Sequence, residues 1–466
     1  MQQIFIIKPD YSLIGTLVKL TLYGGINEIG GNKILLEDKD ARIFLDFGMS
    51  FSFGEEYFTG FLQPRRVNGL GDYFEFDLLP KLGGLYSEDM LANTSLRYSK
   101  PRFDGVFLSH AHIDHVGFTH FLDGNVPLFC GEGAKIILDA LGESGGYDYG
   151  DHIINTFRTG NRLRIGNLKI EPVHVDHSIP AAYGFIIQTT KGTVVYTGDI
   201  RLHGPMSEMS EEFVEKAEGA EPIAMICEGT RINPNEKRTT YSEEDVRRLS
   251  NKVVEESCKI VICTFYGRDI DRFKTFYSIA KENDRKFVIS TRMAYLLSKL
   301  KGDSRLKIPD IKKDRNILVY FKRKKSGEFK ESDYYQWERP FLDKAVTSDY
   351  IHKNQSKVLL SLDLPSFTEL IDIKPDGGHF IHSMSEPFSE EDIEVDIMHN
   401  WLDHFHLKFH QIHASGHCPS CDLKDIIDTV RPKRVFPIHT EEPEYFKKIV
   451  KKNEIVIPVK GKELNL

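Results

Sequence analysis

The chain has 466 residues, 40% hydrophobic and 28% charged, enough apolar material for two or three packed domains without covalent staples. Its 61 basic and 69 acidic residues leave a net charge of −8, which excludes a protein that coats nucleic acid with its whole surface. Six cysteines in this length exclude a disulfide framework, and no apolar run approaches the roughly 18 residues of a membrane span.

The opening residues, MQQIFIIKPDYS, carry neither a basic start nor a small-residue cleavage site, so a cytoplasmic location is expected. LVKLTLYGG, NKILLE and ARIFLDFG read as short strands separated by Gly-rich and charged turns. DGVFLS, Asp104–Ser109, is a buried strand that runs into a His-rich loop. LRIGNLKIEPVHV and YGFIIQTTKGTVVYTGD form two strand pairs, and PIAMICEGT is a further buried strand. From Ser242 the pattern becomes helix, strand, helix, with Ser242 and Glu244–Asp245 marking a helix N-terminus. Strands separated by helical crossovers imply a mostly parallel sheet. Near Phe405 the chain returns to strand (LKFHQIHAS), helix (CDLKDIIDTVR) and strand (RVFPIH). The expected organisation is a first domain over 1–229, an inserted α/β domain over 230–408, and a return segment, 409–466, that completes the first.

The strongest chemical signal is His110-x-His112-x-Asp114-His115, directly after the DGVFLS strand. Histidines two apart in extended chain point to the same side, and an Asp-His pair one turn later can face a second point nearby. Imidazole and carboxylate are ligands that zinc prefers. Further candidates stand at strand ends: His177, with His174 as a competitor, Asp199 after VVYTG, and His439 after RVFPI. A carboxylate such as Asp199 can bridge two cations. The seven residues together supply a two-metal site, which polarises a substrate oxygen and readies a hydroxide for in-line attack on phosphorus. The residues alone therefore point to a dinuclear metallohydrolase.

HAHIDH, the later DHS, YTGD and the early LDFG resemble the metallo-β-lactamase fold hydrolases in order and spacing. EGT at Glu228, ASGH at His417 and PIH at His439 look like the three additional motifs of the β-CASP nucleases. GGINEIGGN, TFYGRDIDRF and the ASGH-to-PIHTE segment are most similar to the ribonuclease J family, in an archaeal form. The resemblance implies an α/β fold, a metallo-β-lactamase αββα sandwich with an inserted parallel α/β β-CASP domain. It also implies a ribonuclease that degrades RNA 5′-to-3′, with endonuclease activity in the family as well. By the same resemblance His110, His112 and His177 hold one Zn2+, Asp114, His115 and His439 hold the other, and Asp199 lies between them. Manganese is the alternative ion, because His/Asp sites accept several divalent cations. Asp46 orients a ligand from behind, and Glu228 with His417 forms an acid pair near the scissile phosphate. The expected partner is RNA, with no membrane association. The bacterial enzymes' further C-terminal domain has no counterpart here, which leaves homodimerisation open.

Two other functions compete with this reading. A hydrolase of small thioesters or lactones on the same scaffold would not need an inserted domain to track a strand. A non-catalytic RNA-binding subunit would have lost metal ligands, and every ligand position is filled. Weaker signals lie outside the metal set. The Gly- and Ser-containing segment Asp376–Glu391 offers Ser383 and Ser385 to RNA phosphate, or Ser385 to a helix cap. By resemblance Arg292 matches an arginine of the family's phosphate pocket. The Lys322–Lys325 run, inside a stretch with twelve basic and four acidic residues, reads as a solvated loop or as a phosphate-tracking surface. Cys418 and Cys421 read as two small residues at a helix start, since a lone pair cannot complete a zinc site.

Overall fold

The computed structural model describes residues 5–6, 17–51, 57–58, 61–385 and 393–466. The first sheet is built from β1 (Val18–Gly24), β2 (Lys33–Asp38), β3 (Ala41–Phe47), β4 (Gly105–Phe107) and β5 (Leu128–Gly131), with short edge strands Glu463–Asn465 and Ile154–Phe157. β1 to β3 form an antiparallel meander, whereas β3, β4 and β5 run parallel. A single turn, α1 (Ile113–Val116), follows β4, and α2 (Glu132–Glu143) follows β5 and buries Ile137, Leu138 and Leu141.

The second sheet carries β6 (Leu168–His174), β7 (Tyr183–Gln188), β8 (Thr193–Tyr196) and β9 (Ala224–Glu228). Alternation with period two decides its packing. Phe185, Ile187, Val194, Tyr196 and Ile226 face the core shared with the first sheet. Their neighbours Ile186, Val195, Met225 and Cys227 face a second core, against α3 (Ser207–Gly219) and the later return helix. Helix, sheet, sheet and helix are thus stacked, as the sequence resemblance implies.

The chain leaves this sandwich after β9. α4 (Glu243–Glu256) opens with the capping box foreseen at Ser242, which exchanges hydrogen bonds with Asp245. β10 (Ile260–Thr264), α5 (Ile270–Glu282), β11 (Lys286–Ser290), α6 (Thr291–Leu300), β12 (Ile317–Tyr320), β13 (Val358–Ser361), β14 (Gly378–His382), α7 (Ile393–His404) and β15 (Leu407–Gln411) follow. The strands form one all-parallel sheet in the order Ala345–Val346, β12, β11, β13, β10, β14, β15. The expected boundary at 408 cuts β15, which pairs with β14 through Phe380↔Phe409 and His382↔Gln411, so the inserted unit extends at least to Gln411.

α8 (Ser420–Val430) and β16 (Arg434–Ile438) return the chain to the second sheet. β16 pairs in parallel with β9, Glu228 opposite Ile438. The carboxyl ends of β8, β9 and β16 therefore lie side by side, and Asp199, Glu228 and His439 sit on them. Among the described residues no helix is long and apolar enough to cross a membrane.

Candidate metal centre and active site

Three overlapping clusters of potential ligand atoms meet at these strand ends: His110, His112, His177 and Asp199; Asp114, His115, Asp199 and His439; and Asp199, Glu228 and His417. Within each, the ligand atoms lie within 4.8 Å of one another, and Asp199 belongs to all three. His110 Nε2 is 3.0 Å from His112 Nδ1, and His177 Nε2 is 3.1 Å from the same nitrogen. Asp199 Oδ2 is 3.5 Å from His110 Nε2, 3.7 Å from His177 Nε2 and 3.1 Å from His115 Nε2. Asp114 Oδ2 is 2.9 Å from His439 Nε2 and 3.4 Å from His115 Nε2. Around a tetrahedral ion with bonds of about 2.0–2.1 Å, donor atoms stand about 3.3 Å apart, so these separations fit such an ion. Two buried atoms, His115 Nε2 and Asp199 Oδ1, have no well-directed hydrogen-bond partner among the described residues. Orphaned buried polar atoms are costly, and a cation satisfies both. The residues present fit a divalent metal.

Electrostatics agree with that use. Burial, with the neighbouring histidines, holds His110 and His112 well below the usual imidazole range and His177 at about 4, so these three stay neutral and able to donate a lone pair. Burial also pushes His115 and His439 down, but Asp199 and Asp114 outweigh it, raising His439 to about 9 and holding His115 well above the usual imidazole range. The two buried carboxylates demand positive charge beside them, which protons or a cation supply.

A surrounding shell fixes which nitrogen each imidazole presents. Asp46 accepts hydrogen bonds from Ser109 N (2.7 Å), Ser109 Oγ (2.8 Å), Tyr196 OH (2.5 Å) and His115 Nδ1 (2.7 Å), which aims His115 Nε2 at the centre. Asp46 adopts φ 58°. The left-handed region costs a non-glycine residue about 1 kcal/mol, less than four hydrogen bonds at about 1 kcal/mol each recover. His177 Nδ1 donates to Gly416 O at 2.6 Å, and His439 Nδ1 lies 2.7 Å from Thr230 Oγ1. Arg268, from the turn after β10, donates to Ala111 O at 2.8 Å and so braces the ligand turn from the inserted domain.

Beside the metal clusters, His417 Nδ1 sits 3.2 Å from both oxygens of the buried Glu228. Burial raises the Glu228 carboxyl, and His417 more than offsets this, leaving it below its ordinary value. Ile200 N and Thr230 N donate to the same carboxylate, at 3.1 Å each. The His417 side chain keeps 19% exposure, so a substrate can reach it. Ser109, Tyr196, Thr230, Arg268 and Gly416 were not foreseen as parts of the site. All five nevertheless stand inside quoted stretches: Ser109 ends DGVFLS, Tyr196 opens YTGD, Thr230 is the T of EGT, Arg268 lies in TFYGRDIDRF and Gly416 is the G of ASGH.

The remaining expectations fare unevenly. His174 stacks on Tyr183 (centroids 4.5 Å apart, planes at 6°) and belongs to none of the three clusters, so the competition with His177 is decided by geometry. Ser383 is not placed to grip phosphate. Its side chain is buried, donates to Ile412 O at 2.6 Å and receives a hydrogen bond from Arg272. Ser385 bonds Tyr266 OH at 2.9 Å and lines a small groove with Arg231, Arg238 and His413. The rest of that segment, 386–391, lies outside the described residues. Arg292 is exposed at the start of α6, beside Gly146. Of the basic run, Lys324 is held by Glu338 at 2.8 Å and Lys322 by Ser366 at 2.6 Å, which leaves Arg323 and Lys325 exposed. Cys418 is buried and Cys421 exposed, so the two thiols do not share a site.

Residues 83–249 match the beta-lactamase superfamily domain, and residues 404–458 match the Zn-dependent metallo-hydrolase RNA specificity domain. Proteins named ribonuclease J align with most of the chain. That of Helicobacter pylori is 23% identical over 456 residues, covering 91% of this chain and 56% of its own length. That of Mycoplasma genitalium is 24% identical over 444 residues, covering 91% of this chain and 68% of its own. The chain is thus similar to ribonuclease J proteins over 91% of its length, with a beta-lactamase superfamily domain at its core. A crystal structure of a protein of unknown function from Enterococcus faecalis V583 superposes with a TM-score of 0.77, at 25% identity, covering 97% of this chain and all of that one. The chain spans little more than half the length of the Helicobacter ribonuclease J. The second matched domain is described as Zn-dependent, and the buried His/Asp clusters suit a metal.

Proposed function

We propose that this protein is a zinc-dependent ribonuclease that hydrolyses RNA phosphodiester bonds, removing nucleotides 5′-to-3′ and cleaving internally as well. The observation that carries the reading is the sharing of Asp199 between two four-residue ligand sets, with Glu228 and His417 alongside. One Zn2+ would be held by His110, His112, His177 and Asp199, the other by Asp114, His115, His439 and Asp199, with manganese as an alternative. When bound, such ions polarise a phosphoryl oxygen and lower the pKa of water toward neutrality.

The chain's own residues do the rest. Asp46 holds His115 in the tautomer that donates through Nε2, and Gly416 O does the same for His177. Glu228 holds His417 through Nδ1, leaving Nε2 to bind a phosphate oxygen or to deliver a proton to the leaving oxygen. Arg268 keeps the ligand turn seated against the inserted domain, so substrate lies in the seam between the two. No membrane partner is part of this reading, and the site of action is the cytoplasm.

The test is purified protein with end-labelled RNA bearing a 5′-monophosphate or 5′-triphosphate, with metal content measured on the same preparation. Two equivalents of zinc or manganese per chain and mononucleotides released from the 5′ end are expected. A protein that retains no metal, or retains it and leaves RNA intact, would contradict the proposal.

A further inference from the structure

A continuous series of contacts leads away from the ligand turn along the seam between the domains. Tyr147 OH donates to Val116 O (2.7 Å), at the end of the turn that bears Asp114 and His115. Its neighbour Gly146 lies against Arg292 at the start of α6. One helical turn further, Glu143 of α2 accepts from Tyr295 OH and pairs with Lys299 Nζ at 2.6 Å. Tyr295 touches Trp337 (ring centroids 5.5 Å apart), and Trp337 lies parallel to Tyr335 (6.2 Å, planes at 8°). The series ends on Tyr335, whose surface is 58% exposed.

Cations accompany the rings. Lys299 Nζ sits 5.1 Å from the Tyr295 centroid, and Lys324 and Lys325 sit 5.0 and 5.7 Å from that of Tyr335. The assembly is fixed from below by Glu338, only 1% exposed, which binds Lys324 Nζ, the Tyr335 N–H (3.1 Å) and Thr291 Oγ1 (2.8 Å). The buried Glu338 carboxylate, on the Tyr335 N–H, and the parallel Trp337 ring hold Tyr335 in place, which lowers the ordering cost of binding. Topology puts it on the productive side: β12, which feeds this loop, is three strand spacings from β10, which feeds Arg268, or about 15 Å along the same carboxyl edge of the sheet.

We propose that Tyr335 and Trp337, with Lys299 and Lys325, form a stacking platform for single-stranded RNA that lies several nucleotides from the metal centre along the domain seam. The inference rests on the ribonuclease reading and adds where the strand is held. Every base has a π-face, so stacking gives grip without sequence preference, and the lysines neutralise adjoining phosphates. The acidic side chains lining the neighbouring cleft, Asp139, Asp148 and Asp151, repel phosphate and confine the strand to the Tyr335 side.

The test compares wild type with the Tyr335→Ala/Trp337→Ala double variant, both metal-loaded and matched by thermal melting. The probes are a uridine oligomer of about 20 nucleotides and bis(p-nitrophenyl) phosphate, which is too small to span the seam. The oligomer should bind at least about tenfold more weakly to the variant, with turnover of the small diester unchanged. Equal oligomer affinity in the two proteins would overturn the platform. Failure of wild type to cleave either probe would overturn the ribonuclease reading instead, while the binding comparison would still decide the platform. In a Trp401→Phe background Trp337 is the one tryptophan left, and oligomer should quench its emission. Unchanged emission counts against the proposal, and Tyr335→Phe should bind like wild type, because the ring and not the hydroxyl is used.

Discussion

Thr230 Oγ1 lies 2.7 Å from His439 Nδ1 and donates at 2.8 Å to Glu228 Oε2. One hydroxyl therefore joins a candidate metal ligand to the candidate acid pair, on strands that enter the sheet on either side of the inserted domain. Removing it should affect both. Thr230→Val is expected to weaken metal binding about 10- to 100-fold and to lower kcat further, whereas Thr230→Ser should recover most of each. Metal titration by calorimetry and RNA turnover check this. Wild-type affinity in the valine variant would mean that the hydroxyl does not orient His439.

Single-ligand variants should separate the two ion positions. His112→Ala touches one ligand set and Asp114→Ala the other, whereas Asp199→Ala touches both. Cleavage should vanish in all three with the fold retained. Bound metal should fall by about one ion per chain in the first two and by more in the third. Full turnover in either of the first two would remove the site assignment.

Gly416 faces His177 closely. A Cβ there would stand 2.7 Å from Ser178 Oγ and 2.8 Å from His177 Cε1, inside any real contact. Gly416→Ala should push the His177 ring off its carbonyl anchor and cut activity more than about tenfold, with a much smaller change in Tm than a core deletion brings. The measurement is kcat beside a thermal melt, and a variant that loses both in proportion would point to simple misfolding.

Acid sensitivity should follow from three half-buried imidazoles outside the metal set. Burial and the nearby Arg158 hold His174 at about 4; burial and Arg201 do the same for His203. Burial and Arg272 hold His413 at about 3. In the unfolded chain each titrates near 6.5. Between pH 6.5 and 4 the unfolded state therefore binds more protons, so stability is full above that window and falls as pH falls through it. Denaturant titrations from pH 7.5 to 4, with metal chelated throughout, should show this loss, and His203→Gln should reduce the slope by about one proton. An unchanged slope would mean that His203 is protonated in the folded protein.

What the sequence made legible divides along a physical line. HAHIDH was visible because four ligands fall within six consecutive positions, and His177, Asp199 and His439 because each directly ends a strand pattern. Thr230, Ser109 and Tyr196 act through one hydroxyl each, and Gly416 through a carbonyl, features that leave no spacing to read. Ser383 was misjudged because a serine's direction is not written in its neighbours. Arg272, more than a hundred positions away, claims its oxygen. The end of the inserted domain slipped for a related reason: LKFHQ alternates as any edge strand does, and only pairing with β14 assigns it to the inserted sheet.

Because β16 joins the sheet beside β9, the last ligand is supplied only after the whole inserted unit has been synthesised. A polypeptide still emerging from the ribosome holds His110, His112, His177 and Asp199 long before His439 exists, and domains generally condense as they emerge. Of the second candidate ligand set, Asp114, His115 and Asp199 are then already present, so that set stays one residue short until β16 is made.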